Sequence, residues 1–468
     1  MNNIGLIGLA VMGQNLALNI ARKGYSLSGY NRSRQKTDEF INEKVKDEKI
    51  YPYYDIKSFV ESLEKPRKII LMVKAGKPVD DVIQELLPYL DKGDLIIDGG
   101  NSYFKDTNRR IEELKAKGIY YLGMGVSGGE YGALHGPSLM PGGTKEAYDM
   151  VNELLLKIAA QTESGPCCTY VGNYSAGHFV KMVHNGIEYA IMQSISEVYD
   201  VMRKILKLSS EEIGEIFERW NNGELNSFLM EISYKIMKHK DDKTGKPLVE
   251  LILDEAEQKG TGKWTAETSL DLGIPTPSLN LAVVGRTLSF FKEERIKISD
   301  IVNRNYPTGN IARDEMIEDL KNSLLFAVFA SFSQGLWLIS EASKVYNYNI
   351  DLSEVLRIWK GGCIIRAKIL DFFREILSED KTNINLLNSQ KSISYLEEKL
   401  ESIKKVTKLA KDFYIPMLTI NSSLDYFFSM SEANLPANLI QGQRDFFGAH
   451  TYKRIDMEGI FHTEWEQD

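Results

Sequence analysis

Alternating strand and helix patterns in the first third of the chain, long helical stretches that are apolar nearly all round, and a short aromatic-rich end predict three parts. They are an α/β doubly wound sheet, a large all-α region and an extended tail. The alternation stops near residues 170–177, so the expected divisions are 1–176, 177–434 and 435–468. A length of 468 residues leaves room for two or three domains with sizeable cores. The chain is 43% hydrophobic and 26% charged, as in soluble globular proteins, and its net charge of -8 without a long basic block argues against a nucleic-acid partner. Three cysteines, Cys167, Cys168 and Cys363, make neither a disulfide framework nor a metal knuckle, which suits a reducing compartment. Met1 leads almost directly into an apolar run, and no charge-free apolar stretch reaches the ~18 residues of a membrane span. The expected location is cytoplasmic, with no membrane partner.

Residues 3–8 read as a short buried strand, followed by Gly8-Leu9-Ala10-Val11-Met12-Gly13 and a helix over 14–23 that Gly24 stops. Strand, glycine turn and helix form the setting of a Rossmann-type dinucleotide site, where a pyrophosphate meets free N–H groups at the positive end of the helix. Ala10 replaces the middle glycine and is small enough to admit the pyrophosphate. Leu9, Ala10, Val11, Met12, Gly13 and Gln14 are the candidate cradle; a plain tight turn is the alternative. A second strand, 25–30, ends in Asn31-Arg32-Ser33-Arg34, with Lys36 beyond. NAD-binding domains place a carboxylate on the ribose near this point, whereas Arg grips a 2′-phosphate with two prongs. Asn31, Arg32 and Ser33 therefore predict NADP rather than NAD; the alternative is a solvated basic helix start.

Three more strands follow. Residues 68–73 lead into Val73-Lys74-Ala75-Gly76 and a helix over 79–90. Residues 95–98 lead into Gly99-Gly100-Asn101-Ser102 and a helix over 105–117. Residues 120–123 lead into Gly125-Val126-Ser127-Gly128-Gly129. Ligands of doubly wound sheets gather at the carboxyl ends of strands, so Lys74, Asn101 and Ser127 are expected in one crevice.

From Gly177 to about Ile205 the chain reads as one long helix, apolar nearly all round and therefore buried. Lys181, His184, Asn185 and Glu188 are set into it, within an arc of roughly 100°. Such groups are costly in a buried helix without partners, which points to an active-site face. A buried ion pair that fixes packing is the alternative, and Lys and Glu two turns apart are too distant for the usual adjacent-turn pair. Residues 214–229 also resemble 353–370, with Trp220 matching Trp359, so two related helical units are expected. Between them, Gln258-Lys259-Gly260-Thr261-Gly262-Lys263-Trp264 offers backbone N–H groups and Lys259 to a phosphate, and Arg286 follows on a short helix. The end, Gln441-Gly442-Gln443-Arg444 through His450 and Tyr452, reads as an irregular tail with aromatic anchors and too little apolar surface for its own core. It is expected to pack on something larger.

Taken together, GLAVMGQN, NRS, VKAG, DGGNS, GVSGGE with GPSLMPGG, KMVHNGIEY, DEAEQKGTGKW and QRDFFGAHTY resemble the 6-phosphogluconate dehydrogenases, over essentially the whole chain. Glu257 stands where that family has Gly or Ala, and Phe446 where it has Tyr. The resemblance implies NADP-dependent oxidative decarboxylation of 6-phospho-D-gluconate by a homodimer. It implies Lys181 as general base and Glu188 as general acid. Asn101, Ser127, Gly128, Gly129, His184 and Asn185 would hold the sugar acid, and Tyr189, Lys259 and Arg286 its phosphate. Arg444 and His450 would enter from the partner subunit. Leu9 to Gln14, Asn31 to Ser33, Val73 to Ala75 and Asn101 would line the NADP site. No metal is expected, because no carboxylate cluster has the character of a ligand set. The rivals are another β-hydroxyacid dehydrogenase, such as one acting on 3-hydroxyisobutyrate, and a non-catalytic NADP-sensing protein.

Overall fold

A seven-stranded sheet forms the first part of the computed structural model, which describes residues 1–305, 307, 309, 311–379 and 385–465. Its strands are β1 (Ile4–Ile7), β2 (Leu27–Tyr30), β3 (Ile50–Tyr53), β4 (Lys68–Leu71), β5 (Leu95–Asp98), β6 (Tyr120–Ser127) and β7 (Ser138–Gly143), in the order β3-β2-β1-β4-β5-β6-β7. Strands β1 to β6 run parallel and β7 runs antiparallel to β6. The order reverses between β1 and β4, which opens a crevice at their carboxyl ends. Helices α1 (Val11–Arg22), α2 (Arg34–Lys44), α3 (Ile56–Glu61), α4 (Lys77–Leu86), α5 (Phe104–Lys115), α6 (Gly129–His135), α7 (Lys145–Asp149) and α8 (Asn152–Ile158) accompany the sheet.

Two strands depart from the sequence reading. Strand β3 carries Pro52 and exposed tyrosine surface and gives little alternation signal. Strand β7 carries Pro141, Gly142 and Gly143, residues that argue against a strand. It forms because it is the last strand, and because bridges from Leu139 to Cys168 and from Gly142 to Gly172 cover its outer edge. Pairing with β7 extends β6 from the expected Gly123 to Ser127, which places Ser127 at a strand end.

The helical part begins at α9 (Ala176–Lys204). It continues through α10 (Ser210–Asn221), α11 (Phe228–Lys238), α12 (Thr261–Asp271), α13 (Pro277–Phe290) and α14 (Lys292–Val302). Then come α15 (Arg313–Val345), α16 (Leu352–Ile358), α17 (Ile369–Glu379), α18 (Gln390–Asp412), α19 (Leu418–Ser431) and α20 (Ala437–Gly448). Helices α9 and α15 pack together, roughly 44 and 50 Å long at the usual helical rise. By length and composition α15 could cross a membrane, but it is mostly buried against its neighbours, as a core helix is. Arg286 lies on α13, a full helix of 14 residues rather than a short one.

The duplication is visible in the helix order. Long α9, then α10 and α11, repeats as long α15, then α16 and α17, and Trp220 and Trp359 are buried at matching places. The two units meet at a bridge between Ser227 and Ala367. There Phe228 N donates to Arg366 O at 3.0 Å and Lys368 N donates to Asn226 O at 2.8 Å.

The end of the chain corrects the irregular-tail reading, because its first 12 residues after Pro436 form α20. Apolar residues on it point outward: Leu439 is 67% exposed, Ile440 60% and Phe447 72%. The face is apolar at helical spacing but unsupported by its own chain, which hid the helix from a search for buried stripes.

Candidate active site

Helix α9 reaches the sheet through glycine contacts. A Cβ on Gly177 would lie 2.1 Å from Met140 O, and one on Gly125 would lie 2.5 Å from the Lys181 Cβ. Only bare backbone at these positions lets α9 lie across β6 and β7 and lets Lys181 enter the crevice. His178, one turn earlier, ties the helix down: its ring lies 2.7 Å from Thr107 Oγ1 and 3.0 Å from Asp98 O.

The four polar residues of the stripe meet. Lys181 Nζ donates to Asn185 Oδ1 at 2.7 Å and lies 3.4 Å from Ser127 Oγ and 3.5 Å from His184 Nδ1. His184 Nδ1 is 3.0 Å from Asn185 Oδ1, and its Nε2 is 3.2 Å from Ser127 Oγ. Asn185 Nδ2 donates to Thr261 Oγ1 at 3.1 Å, which joins the stripe to α12. Glu188 Oε2 lies 3.9 Å from His184 Nδ1, with the Glu188 side chain 20% exposed.

Burial sets the charges. It pushes the Lys181 amine below its ordinary value, with Glu188 and Cys363 pulling the other way. It pushes His184 well down, reinforced by Lys181, so the Glu188–His184 approach is not an ion pair. It raises Glu188 against the pull of Lys181 and Arg286. An amine whose charged form is disfavoured and a carboxyl whose neutral form is favoured thus share one helix face, an arrangement suited to proton transfer. Among the described residues Lys181 and Glu188 form no ion pair with each other: the Lys181 amine is held by Asn185 instead, and burial weighs against the charged form of both groups.

Around this cluster the predicted residues fall into three groups. Ser127 ends β6, Gly128 (φ 115°) and Gly129 (φ 61°) start α6, and exposed Asn101 follows β5. Tyr189 lies under the Arg286 guanidinium, 3.3 Å from ring centroid to carbon, and Arg286 Nη1 donates to Glu257 O at 3.0 Å. Arg286 thereby sits beside the loop that carries exposed Lys259. Arg444 and His450 are not brought to this cluster within the chain; among the described residues their segment hydrogen-bonds only within 437–465.

The dinucleotide cradle fits a pyrophosphate. Helix α1 starts at Val11, three residues earlier than its pattern suggests, and no side chain caps it. Its first N–H groups, in Val11, Met12 and Gly13, therefore face the crevice where Ala10 and Val11 are exposed. A Cβ on Gly13 would lie 1.9 Å from Gly8 O, so this turn needs glycine. Asn31 Oδ1 accepts from Leu9 N at 3.1 Å, Gln14 Nε2 donates to Leu9 O at 3.0 Å, and Ser33 caps α2. A cavity lined by Gly8, Tyr30, Asn31, Arg32, Val73 and Glu85 continues from this turn. Lys74 and Ala75 flank it after β4.

Sequence reasoning missed the support behind these loops. Buried Asp98 accepts from Gly100 N at 3.0 Å, Ser102 Oγ at 2.6 Å and Tyr121 OH at 2.8 Å. Arg110, 1% exposed, donates to Asp80 Oδ1 at 2.8 Å and Gly76 O at 3.0 Å and lies 3.6 Å from Asp98. One guanidinium thus braces both the loop after β4 and the turn that carries Asn101. Asp98 stood in the DGGNS motif without a role, whereas Arg110 in a charged helix gave no signal at all.

The chain matches two family models: the NAD binding domain of 6-phosphogluconate dehydrogenase over residues 3–172, and the 6-phosphogluconate dehydrogenase C-terminal domain over 177–465. It is 50% identical to the NADP(+)-dependent, decarboxylating 6-phosphogluconate dehydrogenase of Bacillus subtilis, covering 99% of this chain and 98% of that one. The NAD(+)-dependent enzyme of the same organism is 47% identical over 100% of both chains. The solved 6-phosphogluconate dehydrogenase of Plasmodium falciparum, known apo, with its cofactor NADP+ and with its substrate 6-phosphogluconate, superposes with a TM-score of 0.96 at 45% identity, covering 99% of this chain and 100% of that one. Matched from end to end in sequence and in fold, this chain belongs to the 6-phosphogluconate dehydrogenase family.

Proposed function

We propose that this protein oxidises 6-phospho-D-gluconate with NADP and decarboxylates it to D-ribulose 5-phosphate, CO2 and NADPH. The observation that carries the reading is the cluster on α9, where an amine lowered by burial and a carboxyl raised by burial share one face. The turn from Leu9 to Gln14, with Asn31 to Ser33, would hold NADP, which would accept the hydride from C3. Neutral Lys181 takes the C3 hydroxyl proton, a transfer open to it because burial disfavours its ammonium. As an ammonium it then donates to the C3 carbonyl oxygen and draws in the electron pair of the C1–C2 bond while CO2 leaves. Glu188, still protonated, gives its proton to the carbon that becomes C1 of the product while Lys181 takes back the enol hydroxyl proton, which restores the carbonyl of the ketose. The two residues are ~10 Å apart along the helix axis, so they act on different carbons of one substrate. Asn185, His184 and Ser127 orient the hydroxyls and carboxylate, with Asn101, Gly128 and Gly129 closing the sugar end.

The phosphate end is read from Tyr189, Lys259 and Arg286, joined by Arg444 and His450 of a second copy of the chain. The exposed apolar face of α20 and exposed Ile296, Ile298 and Ile301 on α14 support a homodimer, because a monomer would leave them in water. The parts 1–176, 177–434 and 435–468 then serve as cofactor domain, substrate and dimer domain, and clasp. Replacing Arg444 with Ala is expected to raise the KM for 6-phosphogluconate about 10- to 100-fold, the worth of a charge-assisted hydrogen bond, with kcat little changed. Steady-state kinetics with varied sugar acid measures it.

NADP is favoured over NAD by the basic turn, since relatives of both preferences are nearly equally similar. Arg32 lies 3.8 Å from Glu85 with both side chains largely exposed, a surface pair worth at most ~1 kcal/mol. A 2′-phosphate outbids it through a two-pronged contact worth about 1.5–3 kcal/mol. Arg32→Ala should therefore lower kcat/KM for NADP about 10- to 100-fold while leaving NAD almost unaffected. The reading as a whole is tested by comparing 6-phosphogluconate with gluconate and NADP with NAD; equal rates on gluconate would refute the phosphate grip.

A further inference from the structure

Asp445 is fully buried in a segment that is otherwise largely exposed. Its carboxylate accepts four hydrogen bonds. Oδ1 receives Thr451 N at 2.8 Å and His462 Nδ1 at 2.9 Å, and Oδ2 receives Thr463 N at 3.1 Å and Trp465 Nε1 at 3.0 Å. A second polar side chain works beside it. Gln441 Nε2 donates to Thr451 O at 2.5 Å, while Gln441 Oε1 accepts from Arg444 Nη1 at 3.1 Å. Thr451 is thus held at both its N–H and its carbonyl.

That grip has work to do, because the turn around His450 is strained. Ala449 (φ 47°) and Thr451 (φ 60°) both lie in the left-handed region, which a β-branched residue rarely enters. Backbone of this kind persists only where its surroundings over-determine it, and it clusters at ligand clamps. Antiparallel bonding between Tyr452 and Phe461, 2.8 Å in both directions, closes the loop behind the turn. The constraints converge on two residues: Arg444, next to Asp445 and bonded to Gln441, and His450, between the two left-handed positions.

We propose that Asp445 and Gln441 are positioning residues that lock Arg444 and His450 into one preformed phosphate clasp, offered to the site of a second copy of the chain. This rests on the reading that Arg444 and His450 bind the substrate phosphate. A preformed clasp binds more tightly than a floppy one because the ordering cost is met on folding. The clasp grips a part of the substrate far from the reacting carbons, so loosening it weakens binding rather than chemistry.

The test uses the full-length protein with Asp445→Asn, Gln441→Ala and Arg444→Ala, measuring KM for 6-phosphogluconate, KM for NADP, kcat and oligomeric state. Asp445→Asn puts an amide where two donors now point. It is expected to raise KM for 6-phosphogluconate about tenfold or more, with kcat within about threefold, KM for NADP unchanged and the assembly intact. Gln441→Ala, which removes only the bridge from Arg444 to Thr451, should raise the same KM several-fold. An unchanged KM for 6-phosphogluconate in Asp445→Asn and Gln441→Ala, with Arg444→Ala impaired, overturns the positioning role alone. An unchanged KM in Arg444→Ala overturns both the clasp and the reading beneath it. Loss of assembly in Asp445→Asn with Gln441→Ala unaffected also overturns the proposal, since Asp445 would then hold an interface rather than a clasp.

Discussion

Lys181→Met is expected to lower kcat by at least about a thousandfold while NADP binding stays near normal. The proposed mechanism asks two services of the amine, accepting the C3 hydroxyl proton and then, as an ammonium, donating to the C3 carbonyl oxygen during loss of CO2. Each is worth about two to four orders of magnitude, and Met supplies neither. Met matches the Lys side chain up to Cε and lacks only the amine, and the space left by Gly125 still accommodates it. The variant should also be at least as stable as the parent. A buried amine with a lowered pKa makes the unfolded chain bind more protons between the folded pKa and the ordinary amine value, so stability in that window rises with pH and is reduced toward neutrality. Removing the amine removes this cost. Rates from NADPH absorbance, NADP affinity by fluorescence titration and a thermal melt separate the outcomes. Retained turnover refutes the base assignment, and a lower Tm points instead to damaged packing.

Glu188→Gln is expected to cost about 100- to 10,000-fold in overall turnover. Burial raises the Glu188 carboxyl, so it keeps its proton to higher pH than an exposed Glu. Lys181 is lowered, so it becomes neutral at lower pH than an exposed Lys. Under the proposed mechanism the active form, with Lys neutral and Glu protonated, is expected to be lost on the acid side as Lys181 gains a proton and on the alkaline side as Glu188 loses one. Glu188→Gln should flatten the alkaline limb and keep the acid limb. A pH–rate profile of the variant with both limbs intact would give that proton to another group.

Much of this site was legible because its signals are local. The apolar run of α9 interrupted by Lys181, His184, Asn185 and Glu188 needs only helical periodicity to be seen, and the structure brings the four together. The glycine turn before α1 and the basic turn after β2 are likewise short-range patterns. What escaped was long-range. Strand β7 exists by virtue of its pairing with β6 and the cover at its outer edge, despite Pro141 and two glycines. Arg110 matters because folding brings Asp80, Gly76 and Asp98 around it, and Asp445 because Thr451, His462, Thr463 and Trp465 return to it. Helix α20 escaped for a third reason: its apolar face is turned outward from its own chain.

Coupling of oxidation at C3 to loss of C1 at the α9 face is open to a direct measurement. Wild-type protein given 6-phosphogluconate labelled with 13C at C1, and NADP, should release labelled CO2 and NADPH in a one-to-one ratio, with Lys181→Met releasing neither. NADPH formed without labelled CO2, or labelled CO2 released at wild-type rate by Lys181→Met, would contradict it.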